Sequence, residues 1–136
     1  MNIYLHVEIS VRELDSKLLL AILAASRGHQ VIVSDLVGIE KGVKSGVLAP
    51  GIFHTKSLSP HKEKIARHKS MIDKGFMITS IDEEGNLNDY GYQGFAKTRY
   101  SDETIEQSTA VFGWGSDDTD TLKQTYSKHS HKIYKT

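Results

Sequence analysis

The sequence contains no cysteine. That removes disulfides, thiolate zinc sites and a thiol nucleophile from consideration, and it is compatible with a reducing compartment. There is no net charge either, with 17 Lys plus Arg set against 17 Asp plus Glu. Such a chain carries no global electrostatic footprint for nucleic acid or for an acidic membrane, so any anion must be met by a local site. No apolar run approaches the roughly 20 residues that a membrane span needs. The opening Met1-Asn2-Ile3-Tyr4-Leu5-His6 lacks a basic region followed by an apolar run, so a signal peptide is not expected. The cytoplasm is the expected compartment, with a peripheral position at the inner face of the membrane left open.

Catalytic signatures are missing as well. No G-x-G-x-x-G follows the first strand-like segment, and no G-x-x-x-x-G-K-[ST] phosphate loop occurs. A nucleophile elbow, G-x-S-x-G, is absent, which leaves a Ser-His-Asp triad without support. Seven histidines are present, but His61 with His68 and His129 with His131 form no metal signature, and no metal is expected. Neither an internal repeat nor a low-complexity linker divides the chain.

What is present is an ordinary globular composition: 136 residues, 38% apolar and 25% charged. That fits a single domain with a real core and argues against disorder. Ile3, Leu5, Val7 and Ile9 alternate with polar residues as in a strand. Ser10-Val11-Arg12-Glu13 reads as a short polar turn. From Leu14 the period becomes helical, with Leu14, Leu18 and Ile22 in register and Leu19 and Leu23 beside them, until Arg27-Gly28. Residues 30–34 form a second strand, completing a βαβ unit.

The alternation continues with a weak helix over 39–48, a short strand at 51–54, and a helix from a Ser59-Pro60 cap to about Asp73, with Ile65 and Ile72 on one face. A strand at 76–81 ends in Asp82-Glu83-Glu84-Gly85. Residues 86–100 read as a long loop. Ser101-Asp102-Glu103 caps a short helix, 110–113 is a fifth strand, Ser116 caps a helix carrying Leu122 and Tyr126, and Lys132 to Lys135 starts a sixth strand. The expected fold is α/β: a doubly wound, mostly parallel six-stranded sheet with helices on both faces.

In such sheets ligands sit outside the carboxyl ends of the strands. That rule selects Arg12 to Lys17, Gly38, Lys56-Ser57, Asp82 to Gly85 and Trp114-Gly115 as one rim. Glu13 is a candidate general base for a sugar hydroxyl, provided burial raises its pKa; it also reads as an acid complementing the helix dipole. Asp15 fits the dipole reading better. Asp82, Glu83 and Glu84 are either a solvated turn or an acidic edge that meets acceptor hydroxyls or supplies an acid/base partner. Lys56-Ser57 and Arg99 are candidates for holding a phosphate or carboxylate, and Arg12, Asp15 and Lys17 are further substrate-binding candidates on the first turn. Trp114 lies between glycines, where an aromatic face can meet a sugar ring or plug the end of the core.

Five ordered blocks carry a resemblance: Glu13-Leu14-Asp15-Ser16-Lys17-Leu18-Leu19-Leu20-Ala21 with Arg27-Gly28-His29, Lys56-Ser57-Leu58-Ser59-Pro60, Asp82-Glu83-Glu84-Gly85, Phe112-Gly113-Trp114-Gly115, and Lys132-Ile133-Tyr134-Lys135-Thr136. Together they resemble the bacterial surface carbohydrate biosynthesis protein family over essentially the whole chain. The resemblance implies a glycosyltransferase-like enzyme of two facing Rossmann-like domains (GT-B type), making surface polysaccharide or glycolipid. It implies that this chain is the acceptor-side half, with no cofactor of its own, and that a nucleotide-sugar donor belongs to a C-terminal domain absent from this chain. It also adds weight to Glu13, Glu83 and Glu84 as catalytic residues, without singling out the base. Family members continue with a Gly-Ser/Asn-Pro-Arg turn and the second domain, so no turnover is expected from these 136 residues alone. Two other classes stay open: a non-catalytic, flavodoxin-like binding domain, and a small self-contained nucleotide- or sugar-modifying enzyme. An exposed apolar patch facing the cleft would favour the transferase half over the binding domain, since a domain lacking its neighbour exposes one, and such a patch can lead the chain to form a homodimer or to swap its terminal elements.

Overall fold

The alternation read in the sequence becomes, in the computed structural model, a six-stranded sheet in which every pairing is parallel. The structure describes residues 1–84 and 91–136. The strands are β1 (Asn2–His6), β2 (Gln30–Ser34), β3 (Ile52–Thr55), β4 (Met77–Ile81), β5 (Ala110–Gly113) and β6 (Ile133–Lys135), in the order β2-β1-β3-β4-β5-β6. Between them run α1 (Ser10–Ala25), α2 (Leu36–Ser45), α3 (Lys62–Ile72), α4 (Gly91–Arg99), α5 (Asp102–Gln107) and α6 (Gly115–Thr125). This is a Rossmann-like α/β fold. No helix among the described residues is long and apolar enough to cross a membrane.

The order reverses once, at β1, and that reversal divides the helices between the two faces. Right-handed crossovers running outward from β3 to β6 place their helices on one side, and the opposite step from β1 to β2 places α1 on the other. The core follows that division. Tyr4, Phe53, Ile78, Val111 and Ile133 project from successive strands into one cluster with Ile39 and Val43 of α2, Met71 of α3, Phe95 and Ala96 of α4, Ile105 of α5 and Leu122 of α6. Leu5, on the opposite face of β1, lies outside that cluster and is fully buried.

Several boundaries differ from the sequence expectation. β1 stops at His6, and Ser10 to Glu13 is the first turn of α1 rather than a polar turn. Val11 in that turn points into solvent, so it offers no periodic signal. The helix instead begins because Glu13 folds back to accept the Glu8 backbone N–H at 2.8 Å. α1 also turns an unexpected side to the sheet: Glu13, Lys17 and Ala24 are buried, while Leu18, Leu19, Ile22 and Leu23 are exposed.

α2 starts at Leu36, because Asp35 caps it through the Gly38 N–H, and ends at Gly46 in the left-handed region. Ser59 is buried and accepts from the Lys64 ammonium, so α3 opens only at Lys62, with His68 and Met71 rather than Ile65 and Ile72 as its buried side. The expected loop holds α4 over 91–99, formed where Phe95 and Ala96 pack into the core; residues 86–90 and Gly85 lie outside the described residues. α6 is capped at Trp114 and not at Ser116, since Asp118 reaches back to accept the Trp114 N–H at 2.7 Å. The Ser101 capping box of α5 stands as expected.

Candidate functional site

The carboxyl ends of β1, β3, β4 and β5 carry a continuous polar network. Glu13, 1% exposed, is its first node. One of its oxygens accepts from the Glu8 N–H, and the other faces the Lys56 ammonium and the Arg12 guanidinium, each at 3.3 Å. Lys56 also reaches Glu8, at 2.5 Å. Burial alone would push the Glu13 carboxyl up; the backbone N–H groups of Glu8 and Ile9 and the Lys56 ammonium more than offset it and hold the pKa down to about 2. The raised pKa that a Glu13 base requires is therefore not met. A carboxylate held that low accepts a proton poorly near neutrality, and its role is to fix the turn after β1.

Lys56 is linked through its backbone carbonyl, 3.1 Å from the Glu83 N–H, to the turn after β4. There the Glu83 side chain pairs with Lys17, a lysine buried on the sheet-facing side of α1. Asp82 is the second buried acid, 1% exposed. Arg99, the last residue of α4, grips both its oxygens at 2.9 and 3.1 Å and also donates to Ser57 at 3.1 Å. The exposed Glu84 meets the same guanidinium at 3.2 Å. Trp114 is half exposed rather than a core plug, and its indole N–H donates to the Asp82 carbonyl at 2.6 Å.

The sequence-selected residues Arg12, Glu13, Lys17, Lys56, Ser57, Asp82, Glu83, Glu84, Arg99 and Trp114 therefore lie along one rim. Asp15 stands apart; it is exposed and joins no ion pair among the described residues. Nor does any group of three His, Asp or Glu among them stand ready to hold a metal ion.

Two depressions flank the network. One, of about 360 Å³, opens where the order reverses, between the turns that leave β1 and β3 for opposite faces; His6, Glu8, Asp35, Lys56, Lys64 and Arg67 line it. That is the crevice where ligands of open α/β sheets bind. The other, of about 400 Å³, lies on the α1 side, between Arg12, Lys17, Leu20, His54, Glu83 and Trp114.

His6 was not selected from the sequence. It is the last residue of β1, buried on the core-facing side, and its Nδ1 has no hydrogen-bond partner among the described residues. Burial lowers its pKa against the pull of Glu8 and Glu13, so at neutral pH the imidazole is an uncharged group at the cleft. The signal in the sequence that points to it is its parity with Tyr4 along β1; that the strand ends at this residue is not legible there.

Compared with family models, curated proteins and solved structures, the chain matches none of them.

Proposed function

We propose that the chain is the acceptor-binding half of a sugar-transferring enzyme, taking the acceptor in the crevice between the ends of β1 and β3. The observation that carries this reading is the layout of the crevice: Glu8 stands more than half exposed at its mouth, paired with Lys56, while the buried Glu13 holds both in place. Carboxylate, ammonium and uncharged imidazole together suit the donor and acceptor pattern of sugar hydroxyls. Within this reading Glu8 and Lys56 bind hydroxyls and His6 takes the proton from the attacking one. Glu13, Arg99 and Asp82 position the turns, and Glu83 and Glu84 form the edge facing a donor-binding domain of surface-carbohydrate enzymes. The blocks from Glu13 to Thr136 that resemble that family support the choice of sugar over other hydroxyl-bearing ligands.

A second reading, a non-catalytic flavodoxin-like binding domain, is favoured by one observation: among the acids of the rim, Glu13, Asp82 and Glu83 are already paired with cations. Equilibrium binding separates the two. Acceptor-type oligosaccharides are expected to bind the chain with millimolar to micromolar affinity, to weaken about tenfold on Glu8→Gln or Lys56→Met, and to compete poorly with nucleotide-sugars. Binding of nucleotide-sugar alone, or of no sugar at all, contradicts the proposal.

A further inference from the structure

Among the described residues, α2 to α6 cover one face of the sheet and α1 covers the other. Strand register assigns Leu5, His54, Thr79 and Ala110 to one row on the α1 side, and Ile81, Phe112 and Tyr134 to the next. α1 packs on that face against β2. Beyond it Met77, Ile81, Phe112 and Tyr134 line β4, β5 and β6, with no helix above them among the described residues. The Phe112 ring lies tilted beside Tyr134, centroids 6.0 Å apart, and 6.5 Å from His54, so the floor is a joined aromatic surface. Leu20 forms the near wall and Trp114 closes the upper end.

The trough has the dimensions of a helix. Three strands at about 4.8 Å spacing span about 10 Å, the width of an α-helix with its side chains. α1 meanwhile has an apolar side that is left exposed among the described residues. Its sheet-facing side is Glu13, Lys17 and Ala24, while the opposite side carries Leu19 and Ile22, 60% and 65% exposed, with Leu23 beside them.

We infer that a second copy of this chain seats its α1 in this trough, and receives the first copy's α1 in its own. The arrangement is isologous, as a two-fold dimer requires. Leu19 and Ile22 fill the partner's floor of Phe112 and Tyr134, and Leu20 and Leu23 meet across the two helices. The exposed portions of Leu19, Leu20, Ile22, Leu23, Trp114 and Tyr134 come to roughly 600 Å² per chain, at the upper end of the largest patch usual on a monomer and near the lower bound of what each partner buries in a stable interface. Equal numbers of acidic and basic residues leave no net repulsion between copies. A lipid tail would fill the trough but leave Leu19 and Ile22 in water, so the second copy accounts for both surfaces. The inference is independent of the crevice between β1 and β3.

Sedimentation equilibrium on the full chain tests it, with twice the chain mass expected at micromolar concentrations. Ile22→Lys on the ridge and Tyr134→Lys on the floor change exposed positions, and each is expected to raise the dimer dissociation constant about a hundredfold. Because the chain has no cysteine, a spin label on Leu19→Cys also reads the contact directly, with a single inter-copy distance expected. A monomer at all concentrations, a dimer indifferent to both lysines, no inter-copy distance, or a monomer that binds lipid vesicles would each overturn the inference.

Discussion

Arg99→Ala is expected to cost about 3–5 kcal/mol of folding stability, read as a shift in the urea midpoint, because it strands a buried charge. Asp82 is almost wholly enclosed, and Arg99 is the cation that grips both its oxygens among the described residues. Its remaining described partner on the carboxylate is the Glu84 N–H at 3.0 Å. Burial opposes the Arg99 charge, yet its pairing with Asp82 more than offsets this and raises its pKa, which marks the pair as mutually dependent. The guanidinium also ties the β3 turn, through Ser57, to α4. The whole domain's stability is expected to fall within about 5–15 kcal/mol, so the loss is a large fraction of it. Asp82→Asn, which removes the charge that needs compensation, should cost less, and the double variant less than the sum. A midpoint shift equivalent to under about 1 kcal/mol for Arg99→Ala would place this pair with surface ion pairs and contradict its assigned role.

The second large effect is acid instability beginning well above the carboxylate range. His54 is held down to about 3 by burial and by the Lys17 charge, and His68 to about 4 by burial and by Lys64 and Arg67. Burial lowers His6 as well. The unfolded chain protonates these imidazoles below about pH 6.5 while the folded one does not, so the unfolded state binds more protons as pH falls. The stability of the neutral folded forms is therefore fully present above pH 6.5 and lost towards pH 4. The slope from His54 and His68 alone approaches about 2.7 kcal/mol per pH unit. Glu13 adds a second limb in the same sense: its lowered pKa stabilises above about 4.5, and that contribution disappears as pH falls towards 2. Urea midpoints measured from pH 7 to pH 3 check this. His68→Leu, beside Phe53, should flatten the upper limb; a profile level from pH 7 to 4.5 in the parent chain contradicts the burial of neutral imidazole.

Legibility followed how local each cause is. The strands were readable because alternation and apolar runs record burial directly, and the five helices at 10–25, 36–45, 62–72, 102–107 and 115–125 followed at least roughly. α4 was not, since Gly91 and Gly94 weaken any local helical signal and the burial of Phe95 and Ala96 comes from distant strands. Helix starts failed where the capping group comes from further along the chain, as with Glu13 on Glu8 and Asp118 on Trp114. In the site, strand-end geometry selected the right neighbourhood, but the pairing within it was invisible: nothing local says that Lys17 faces Glu83 across the sheet end or that Arg99 takes Asp82. The leucines of α1 misled for the opposite reason. Their helical spacing reads as a core-facing stripe, yet the sheet receives Glu13 and Lys17, and the leucines are left for another surface.

The crevice between β1 and β3 is the position where the proposed ligand is held. Amide chemical-shift mapping of the nitrogen-15-labelled chain, titrated with acceptor-type oligosaccharides, addresses that position directly. The expected perturbations cluster at His6 to Glu8, Asp35 to Val37, Thr55-Lys56 and Lys64 to Arg67, the residues that line the cleft. Saturable shifts confined to other surfaces, or none at millimolar sugar, would contradict it.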